Sequence, residues 1–380
     1  MRICVVYDCL YPHSIGGAER WYRNLSERLV GAGHDVHYLT LRQWDEGVDP
    51  HFSGVKVHAV GPRMELYTGE RRRLLPPLRF GLGVLRHLAR HGRRYDVVHT
   101  ASFPYFSLLA AGLLQRRGGY RLVVDWHEVW TKRYWLDYAG RIAGTAGAMV
   151  QRFGARFGDR AFCFSHLHAG RLAELGYRGE ITVLEGEYAG GPTPPTNGPR
   201  DPLVVFAGRH IPEKRPDLLV RAFALARERV PELRCAIFGD GPERQNVLAL
   251  IDELRLNGFV SAPGKVDGAV VEDAFRRASC HVLPSRREGY GLVVVEAAAA
   301  GTPSVVVADP DNASTELIED GVNGVIAQSA APEDVAAAIV AVQEAGDELS
   351  ASTREWYERN AERLSIESSL QTVLSAYERP

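Results

Sequence analysis

Short runs of β-branched and apolar residues alternate with longer amphipathic stretches along the whole chain, the rhythm of parallel α/β units. In the first half, Ile3–Tyr7, Val36–Leu39, Val55–Val60, Val97–His99, Leu122–Val124, Ala161–Phe164 and Thr182–Leu184 read as strands, with helices at Ala18–Val30, Pro77–Arg90, Pro104–Arg116 and His166–Leu175. A breaker-rich segment follows, Gly190-Gly191-Pro192-Thr193-Pro194-Pro195-Thr196-Asn197-Gly198-Pro199, which can be neither helix nor central strand and reads as a linker. The rhythm then restarts. Leu203–Ala207 and Cys235–Phe238 are unbroken apolar runs, as strands buried on both faces require. His281–Leu283 and Ser304–Val307 are later strands, and Asp217–Arg229, Val270–Ala278, Leu292–Ala300 and Pro332–Ala345 are helices. The last stretch, about Thr353–Tyr377, is charged and helical with no strand after it.

The expected organisation is a first domain over 1–190, a linker over 191–201, a second domain over 202–352, and a helical segment over 353–380 that packs back on the first domain. The fold class is α/β: two doubly wound, Rossmann-like domains facing each other, with ligands at the C-terminal strand ends in the cleft between them.

Composition agrees with this and narrows the chemistry. Of 380 residues, 45% are hydrophobic and 24% charged, which excludes a disordered or fibrous chain. No stretch approaches the roughly 20 uninterrupted apolar residues of a spanning helix. The start, Met1-Arg2-Ile3-Cys4-Val5-Val6-Tyr7-Asp8, reads as a buried strand and not as a signal peptide. Five scattered cysteines (Cys4, Cys9, Cys163, Cys235, Cys280) form no CxxC pair and suit reduced core thiols of a cytoplasmic protein. The net charge of −2 hides an asymmetry: residues 1–190 hold 26 Lys+Arg against 18 Asp+Glu, and residues 191–380 hold 19 against 29. Either the C-terminal helices are simply acidic, or the first half faces an anionic partner such as a lipid surface or a phosphorylated acceptor. Only four lysines occur beside 41 arginines: Lys56, Lys132, Lys214 and Lys265.

The strongest local signal is Pro284-Ser285-Arg286-Arg287-Glu288-Gly289-Tyr290-Gly291-Leu292-Val293-Val294-Val295-Glu296-Ala297. A strand ends in Pro-Ser, a loop carries Glu288 and two glycines, and a helix opens near Leu292. Glycines let backbone N–H groups approach a ligand, and a helix N-terminus favours an anion or a sugar hydroxyl. Glu296 lies about one turn into that helix among Val and Ala, where a carboxylate needs a partner.

Glu288 and Glu296, eight apart, match the E-x7-E motif, and here the chain resembles the family-4 retaining glycosyltransferases with the GT-B fold. The resemblance extends over nearly the whole sequence: Gly16-Gly17-Ala18-Glu19 after the first strand, Asp125-Trp126-His127-Glu128, Gly208-Arg209 followed by Lys214, Phe238-Gly239-Asp240-Gly241-Pro242-Glu243, and Gly321-Val322-Asn323-Gly324. It implies transfer of a sugar from a nucleoside-diphosphate sugar to an acceptor hydroxyl with retention of configuration, in cell-envelope glycolipid, polysaccharide or other glycoconjugate synthesis. A sugar-nucleotide epimerase and a non-catalytic nucleotide-sugar binding protein are the alternatives.

By the same resemblance Arg209 and Lys214 hold the donor diphosphate and Glu296 the ribose hydroxyls. Glu288, with the backbone of Gly289, Tyr290, Gly291 and Leu292, holds the transferred sugar and a phosphate. His127 is similar to the histidine that contacts the donor sugar, and Lys265 and Val266 lie where the base packs. Gly16, Gly17, Gly208 and Gly239 are the tight backbone positions. Asp309-Pro310-Asp311 is formally a DxD, but it sits late, after a second-domain strand, and its proline suggests a structural loop, so no metal or other cofactor is expected. The chain departs from the family in Leu184-Glu185-Gly186-Glu187-Tyr188 before the linker, in Lys214-Arg215 for the usual Lys-Gly, and in His127-Glu128 for the usual His-Asp. These departures touch acceptor contacts more than donor contacts.

Two further features lie outside the motifs. Arg71, Arg72, Arg73 and five more arginines up to Arg94 interleave with leucines. The stretch is either a basic helix lying on anionic membrane or a solvated helix packing its leucines on the sheet. Trp126, Trp130 and Trp135, with Tyr134 and Tyr138, are either stacking faces for an acceptor glycan or membrane interface, or ordinary core. The acceptor is accordingly expected to be a glycan, a lipid-linked species or a small molecule, met in the cytoplasm or at the inner face of the cell membrane. Nucleic acid is not an expected partner, because the basic and aromatic features lie in different segments.

Overall fold

The computed structural model describes residues 1–14, 16–45, 47–68, 71–192 and 200–378, with the side chains at 67, 68, 71 and 72 outside the description. Two compact units are present: Met1–Glu185, joined by the chain from Ser369 onward, and Gly186–Ser368. Most of the expected linker, 193–199, lies outside the described residues.

In the first unit the order is β1 (Arg2–Val6), α1 (Gly17–Gly31), β2 (Asp35–Leu41), β3 (Lys56–Gly61), β4 (Tyr67–Thr68), β5 (Arg71–Arg72), α2 (Leu75–His91), β6 (Val97–Ala101), α3 (Tyr105–Gly118), β7 (Arg121–Trp126), α4 (Lys132–Gly154), β8 (Arg160–Cys163), α5 (His166–Glu174) and β9 (Glu180–Val183). The seven long strands form one parallel sheet in the order β3-β2-β1-β6-β7-β8-β9. Its central strands are buried on both faces, which is why they read as continuous apolar runs.

The basic stretch differs from the expectation. Arg71–Arg72 pair antiparallel with Tyr67–Thr68, the helix starts at Leu75, and after His91 the chain tightens into a 3₁₀ turn over Gly92–Arg94. Pro76 and Pro77 lack the N–H groups of a helix interior and fit only its first turn, so they fix where α2 can begin. Arg71, Arg72 and Arg73 therefore stand before the helix and not on it.

The aromatic cluster is core. Trp126 is fully buried and Trp135 nearly so, and both join the apolar cluster between the sheet and α2 to α5. Trp126 and Trp135 thus offer no free face to a sugar or a membrane. Trp130 is half-buried; its indole donates to Glu128 at 2.7 Å, and its ring packs against Tyr134, Trp135 and Tyr138. All five cysteines are buried and unbridged.

A polar chain runs through this core. Asp125 on β7, fully buried, accepts from the Trp21 indole of α1 at 2.8 Å and meets His99 Nε2 of β6 at 2.6 Å. The other ring nitrogen of His99 hydrogen-bonds the Tyr377 hydroxyl on the last helix, α11 (Ile366–Glu378). Arg121 fastens the same helix by donating to the carbonyls of Ala376 and Tyr377. Burial pushes the Asp125 carboxyl up, but the charge and hydrogen bond of His99, with His127 and the Trp21 indole, outweigh it and hold the carboxyl below its usual range.

The second unit repeats the plan: β10 (Asp201–Ala207), α6 (Pro216–Arg229), β11 (Arg234–Phe238), α7 (Arg244–Glu253), β12 (Val260–Gly264), α8 (Gly268–Arg277), β13 (Ala278–Leu283), β14 (Arg287–Glu288), α9 (Leu292–Ala299), β15 (Ser304–Val307), β16 (Asp311–Asn312), β17 (Gly324–Ala327) and α10 (Pro332–Leu364), with the break to α11 at Ser365. Six strands form a parallel sheet in the order β12-β11-β10-β13-β15-β17. The expected end of the last second-unit helix at Ala345 coincides with a break at Gly346, whose φ +52 and ψ −134 are not helical; helical geometry resumes beyond it and runs to Leu364.

Asp125→Ala leaves the Trp21 indole and the His99 ring buried without their acceptor and should cost about 3–5 kcal/mol of stability. Asp125→Asn keeps the shape but loses the charge. A carboxyl depressed on folding contributes stability in full above its unfolded range, near about 4, and loses it as pH falls through the lower folded value. Denaturant unfolding of wild type and Asp125→Asn at neutral and acid pH tests this. The variant should show the smaller loss on acidification, and equal losses would place the acid-sensitive charge elsewhere.

Candidate functional site

In the second unit the strand order reverses between β10 and β13, so the loops leaving their C-terminal ends part to opposite sides and open a crevice between them. The loop after β10 carries Gly208, Arg209 and Lys214; the loop after β13 carries Ser285, Glu288 and the glycines. Backbone and side chains tie the two together. The Arg286 N–H donates to the Glu213 carbonyl at 2.8 Å, and the Arg287 guanidinium lies 3.9 Å from the Glu213 carboxylate. At the centre the Lys214 ammonium donates to Glu288 Oε1, which also accepts from the Ser285 hydroxyl at 2.7 Å. Glu288 is buried, and the short β14–β16 ladder with Asp311–Asn312 holds its backbone.

Arg209 contrasts with Lys214. It is exposed and pairs with no acid among the described residues, so the loop keeps one cation engaged and one open. Arg215 explains a departure from the family pattern. It adopts φ +47 and ψ 51, the left-handed conformation in which glycine sits without strain, and its guanidinium reaches Asp309 at 3.4 Å. Asp309 in turn accepts the Asp311 N–H at 3.3 Å, so the DxD-like acids are built into the loop. Among the described residues no three His, Cys, Asp or Glu side chains converge as a metal site.

Gly291 opens α9. Its φ of +106 is hostile to other residues, and a Cβ there would stand 2.6 Å from that of Ser314. The turn leaves the first N–H groups of α9 without intrahelical partners, beside the buried Tyr290 and the half-buried Gly289 and Leu292. Glu296, half-buried, lies one turn further in. Burial, then Tyr357 and Glu296, push the Tyr188 phenol up to about 12. The loops after β11 and β12 close against the same region: the Gly208 N–H donates to the Phe238 carbonyl, the His210 N–H to that of Asp240 and the Gly239 N–H to that of Gly264. Lys265 beyond them is exposed, and Val266 packs on the apolar cluster under α8. The structure thus brings Gly208, Arg209, Lys214, Gly239, Glu288, Gly289, Tyr290 and Gly291, on loops, and Leu292 and Glu296, on the first turns of α9, to the C-terminal end of one sheet.

The other expected residues belong to the first unit. Gly16 caps α1 in extended conformation, where a Cβ would meet the Glu19 carboxylate at 2.5 Å; nothing stands within 4 Å of a Cβ at Gly17. His127 follows β7, two residues past Asp125. Its ring stacks on Phe164 at 4.4 Å and meets the edge of Tyr22, and its Nε2 is buried with no partner among the described residues. Burial lowers its pKa against the opposing pull of Asp125 and Glu128, so the ring is neutral near pH 7. Sequence reasoning missed Ser285, His99 and Trp21. His99 and Asp125 did leave a signal, as polar residues inside the apolar runs Val97-Val98-His99 and Val123-Val124-Asp125.

Two family models cover nearly all of the chain. Residues 16–186 match the glycosyl transferase 4-like domain and residues 194–363 match glycosyl transferases group 1. The chain is 29% identical to the glycogen synthase of Mycobacterium tuberculosis, over 99% of this chain and 93% of that protein. It is 27% identical to the D-inositol 3-phosphate glycosyltransferase of Segniliparus rotundus, over 95% and 84%. Among solved structures, sucrose-phosphate synthase from Thermosynechococcus elongatus superposes with a TM-score of 0.81 at 19% identity, over 99% of this chain and 98% of that one. Anabaena HepE in complex with UDP superposes with a TM-score of 0.75 at 17% identity, over 99% of both. With two parallel-sheet α/β units and both family models matched in order, the chain belongs to the family-4-like glycosyltransferases of group 1, with the GT-B fold.

Proposed function

We propose that the second unit binds a nucleoside-diphosphate sugar and that the enzyme transfers the sugar to an acceptor hydroxyl with retention of configuration. The observation that carries this is the Lys214–Glu288 pair across the strand-order reversal, with the open Arg209 on the same loop and the N-terminus of α9 beside it. Two cations and a helix N-terminus form a site for a diphosphate, and Glu296, one turn along, suits vicinal hydroxyls of a ribose. Binding of UDP by HepE makes uridine donors the first to test.

In the proposed reaction the bond from the anomeric carbon to the phosphate oxygen breaks, and negative charge grows on the departing diphosphate. Arg209 and Lys214 stabilise that charge, which is transition-state stabilisation by groups already in place. The acceptor oxygen bonds to the same face of the anomeric carbon, and its proton passes to the leaving phosphate. The two cations supply the charge that a divalent metal would otherwise bring, so no metal is required in this scheme. Neutral His127 offers its unspent Nε2 to a sugar hydroxyl. The proposed acceptors are glycans or lipid-linked sugars of envelope glycolipid or polysaccharide synthesis.

Labelled nucleoside-diphosphate sugars, incubated with and without candidate acceptors, separate transfer from isomerisation and from binding alone. The anomeric configuration of the product by NMR tests retention; an inverted product would reject same-face attack. Glu296→Ala should weaken donor binding about 10- to 100-fold, the cost of losing charge-assisted hydrogen bonds, with thermal stability kept. Calorimetry showing undiminished affinity would move the ribose elsewhere. Lys214→Ala should reduce kcat by about 10²- to 10³-fold while donor affinity falls far less, because its charge matters most as the diphosphate departs. A variant with intact kcat and a raised KM would make Lys214 a ground-state anchor instead.

A further inference from the structure

Helices α2, α3 and α4 contribute to one core against the sheet of the first unit, with α2 packed along α3 and α3 along α4. Together they contain nine Lys or Arg and a single acid, Asp137. That surplus of eight equals the whole excess of positive charge in residues 1–190. The outward side of the same layer is also unusually apolar. Leu74, just before α2, is 75% exposed; Leu113 of α3 is 65% exposed; Ile142 and Met149 of α4 are 90% and 67% exposed. Leu75, Leu78 and Leu82 continue the stripe on α2 at helical spacing, and Phe153 continues it on α4.

Arginines stand among these side chains. Arg79, Arg86 and Arg90 on α2, Arg116 and Arg117 on α3, and Arg141 and Arg152 on α4 are all exposed. At the C-terminal ends of the helices, Arg90, Arg93 and Arg117 line one pocket, and Arg152, Arg156 and Arg178 line another of about 520 Å³, neither with an acid among its lining residues. A cation at a helix C-terminus complements the helix dipole, which accounts for some of these positions. It does not account for the leucines, methionine and phenylalanine left in water between them.

We infer that the outer surface of the α2–α3–α4 layer docks on an anionic lipid membrane, with the exposed apolar side chains entering the headgroup boundary and the arginines contacting lipid phosphates. Apolar residues between cations, on helices almost without acids, are the signature of a surface that lies in the interface and does not cross it. No helix among the described residues is long and apolar enough to span a membrane. A second copy of the chain is the other occupant to weigh, but a layer whose helices carry nine cations and one acid repels itself. The surface is defined by the first unit alone and does not rest on the proposed donor chemistry.

The test is co-sedimentation with vesicles of phosphatidylglycerol and phosphatidylcholine against vesicles of phosphatidylcholine alone. At low salt the protein should bind the anionic vesicles at least about tenfold more tightly, and about 0.5 M salt, where screening acts within a few ångströms, should remove most of that advantage. Arg79→Gln, Arg86→Gln and Arg152→Gln together should abolish the preference for anionic lipid. Leu78→Ser, Leu82→Ser, Met149→Ser and Phe153→Ser together should keep the preference and weaken binding roughly tenfold. All sites are exposed, so melting temperatures should hold, and donor binding measured on the same variants should be unchanged. Equal partition into both vesicle types, or none at low salt, overturns the inference. So does a dimer in sedimentation that the serine variant dissolves while vesicles capture nothing, which would assign the surface to a second copy.

Discussion

The chemistry of the second unit depends on one topological fact, the reversal of strand order between β10 and β13. A parallel sheet places all its C-terminal loops at one end, and only where neighbouring crossovers lead to opposite faces do adjacent loops separate enough to admit a ligand. Lys214 and Glu288 are 74 residues apart in sequence and meet there. Their pairing fixes both loops before any ligand arrives. Glu288 is buried and holds two donors, Lys214 and Ser285, so its charge is compensated in place. In the proposed function the ammonium is thereby held where an anion can add to its coordination. Such a pair does not divide into two independent contributions. Removing either partner leaves the other charge partly buried and alone.

The first unit solves a different problem. Asp125 and His99 lie on adjacent central strands, where the neighbouring positions are apolar and buried on both sides. Burying an unpaired carboxylate there would be prohibitive; two donors, the Trp21 indole of α1 and the His99 ring of β6, make it tolerable, and His99 carries the chain on to a third element. One of the elements so joined is the final helix, through Tyr377, which explains how the chain beyond Ser369 comes to belong to the first unit. The network ends two residues before His127. The same anchoring that holds β7 therefore fixes the backbone that carries the His127 ring, whose Nε2 has no partner among the described residues.

Strands buried on both faces were legible because they leave uninterrupted apolar runs, as in Val204–Phe206 and Ile3–Val6, and the loop signature from Ser285 to Glu296 was legible because glycines and acids are rare in such surroundings. The edge strands of the first sheet, β3 and β9, were legible too, but those of the second sheet, β12 and β17, were not. β12 reads Val-Ser-Ala-Pro-Gly, a half-exposed edge strand whose proline removes a ladder donor, and its pattern resembles a turn. α4 was hidden by its glycines, which the packing of Trp135 across Gly144 and Gly147 requires. Burial misled in the other direction at Trp126, where an aromatic cluster near a motif could be a stacking platform or core. Local sequence does not separate the two, because the difference lies in contacts with Tyr105 of α3 and Gly154 of α4 that are remote along the chain. The partners of Asp125, 26 and 104 residues away, were invisible for the same reason.

The distribution of cations separates the tasks of the two units. Lysine is used four times in the chain, and one of the four is the ammonium at the crevice, a compact charge on a flexible stem suited to approach a phosphate that changes charge during a reaction. The outer layer of the first unit uses arginine almost exclusively. A guanidinium stays charged at any pH the protein meets, is weakly hydrated and can lie flat among apolar groups, so it suits a boundary between water and a less polar phase. If the surplus served only to keep the protein dissolved, acids and bases could be mixed on these helices as they are over the last turns of α10, where Arg354, Glu355, Glu358, Arg359, Glu362 and Arg363 intermix. Their segregation onto α2, α3 and α4, together with the apolar side chains beside them, is the observation behind the proposed docking on a surface that is both negatively charged and partly apolar.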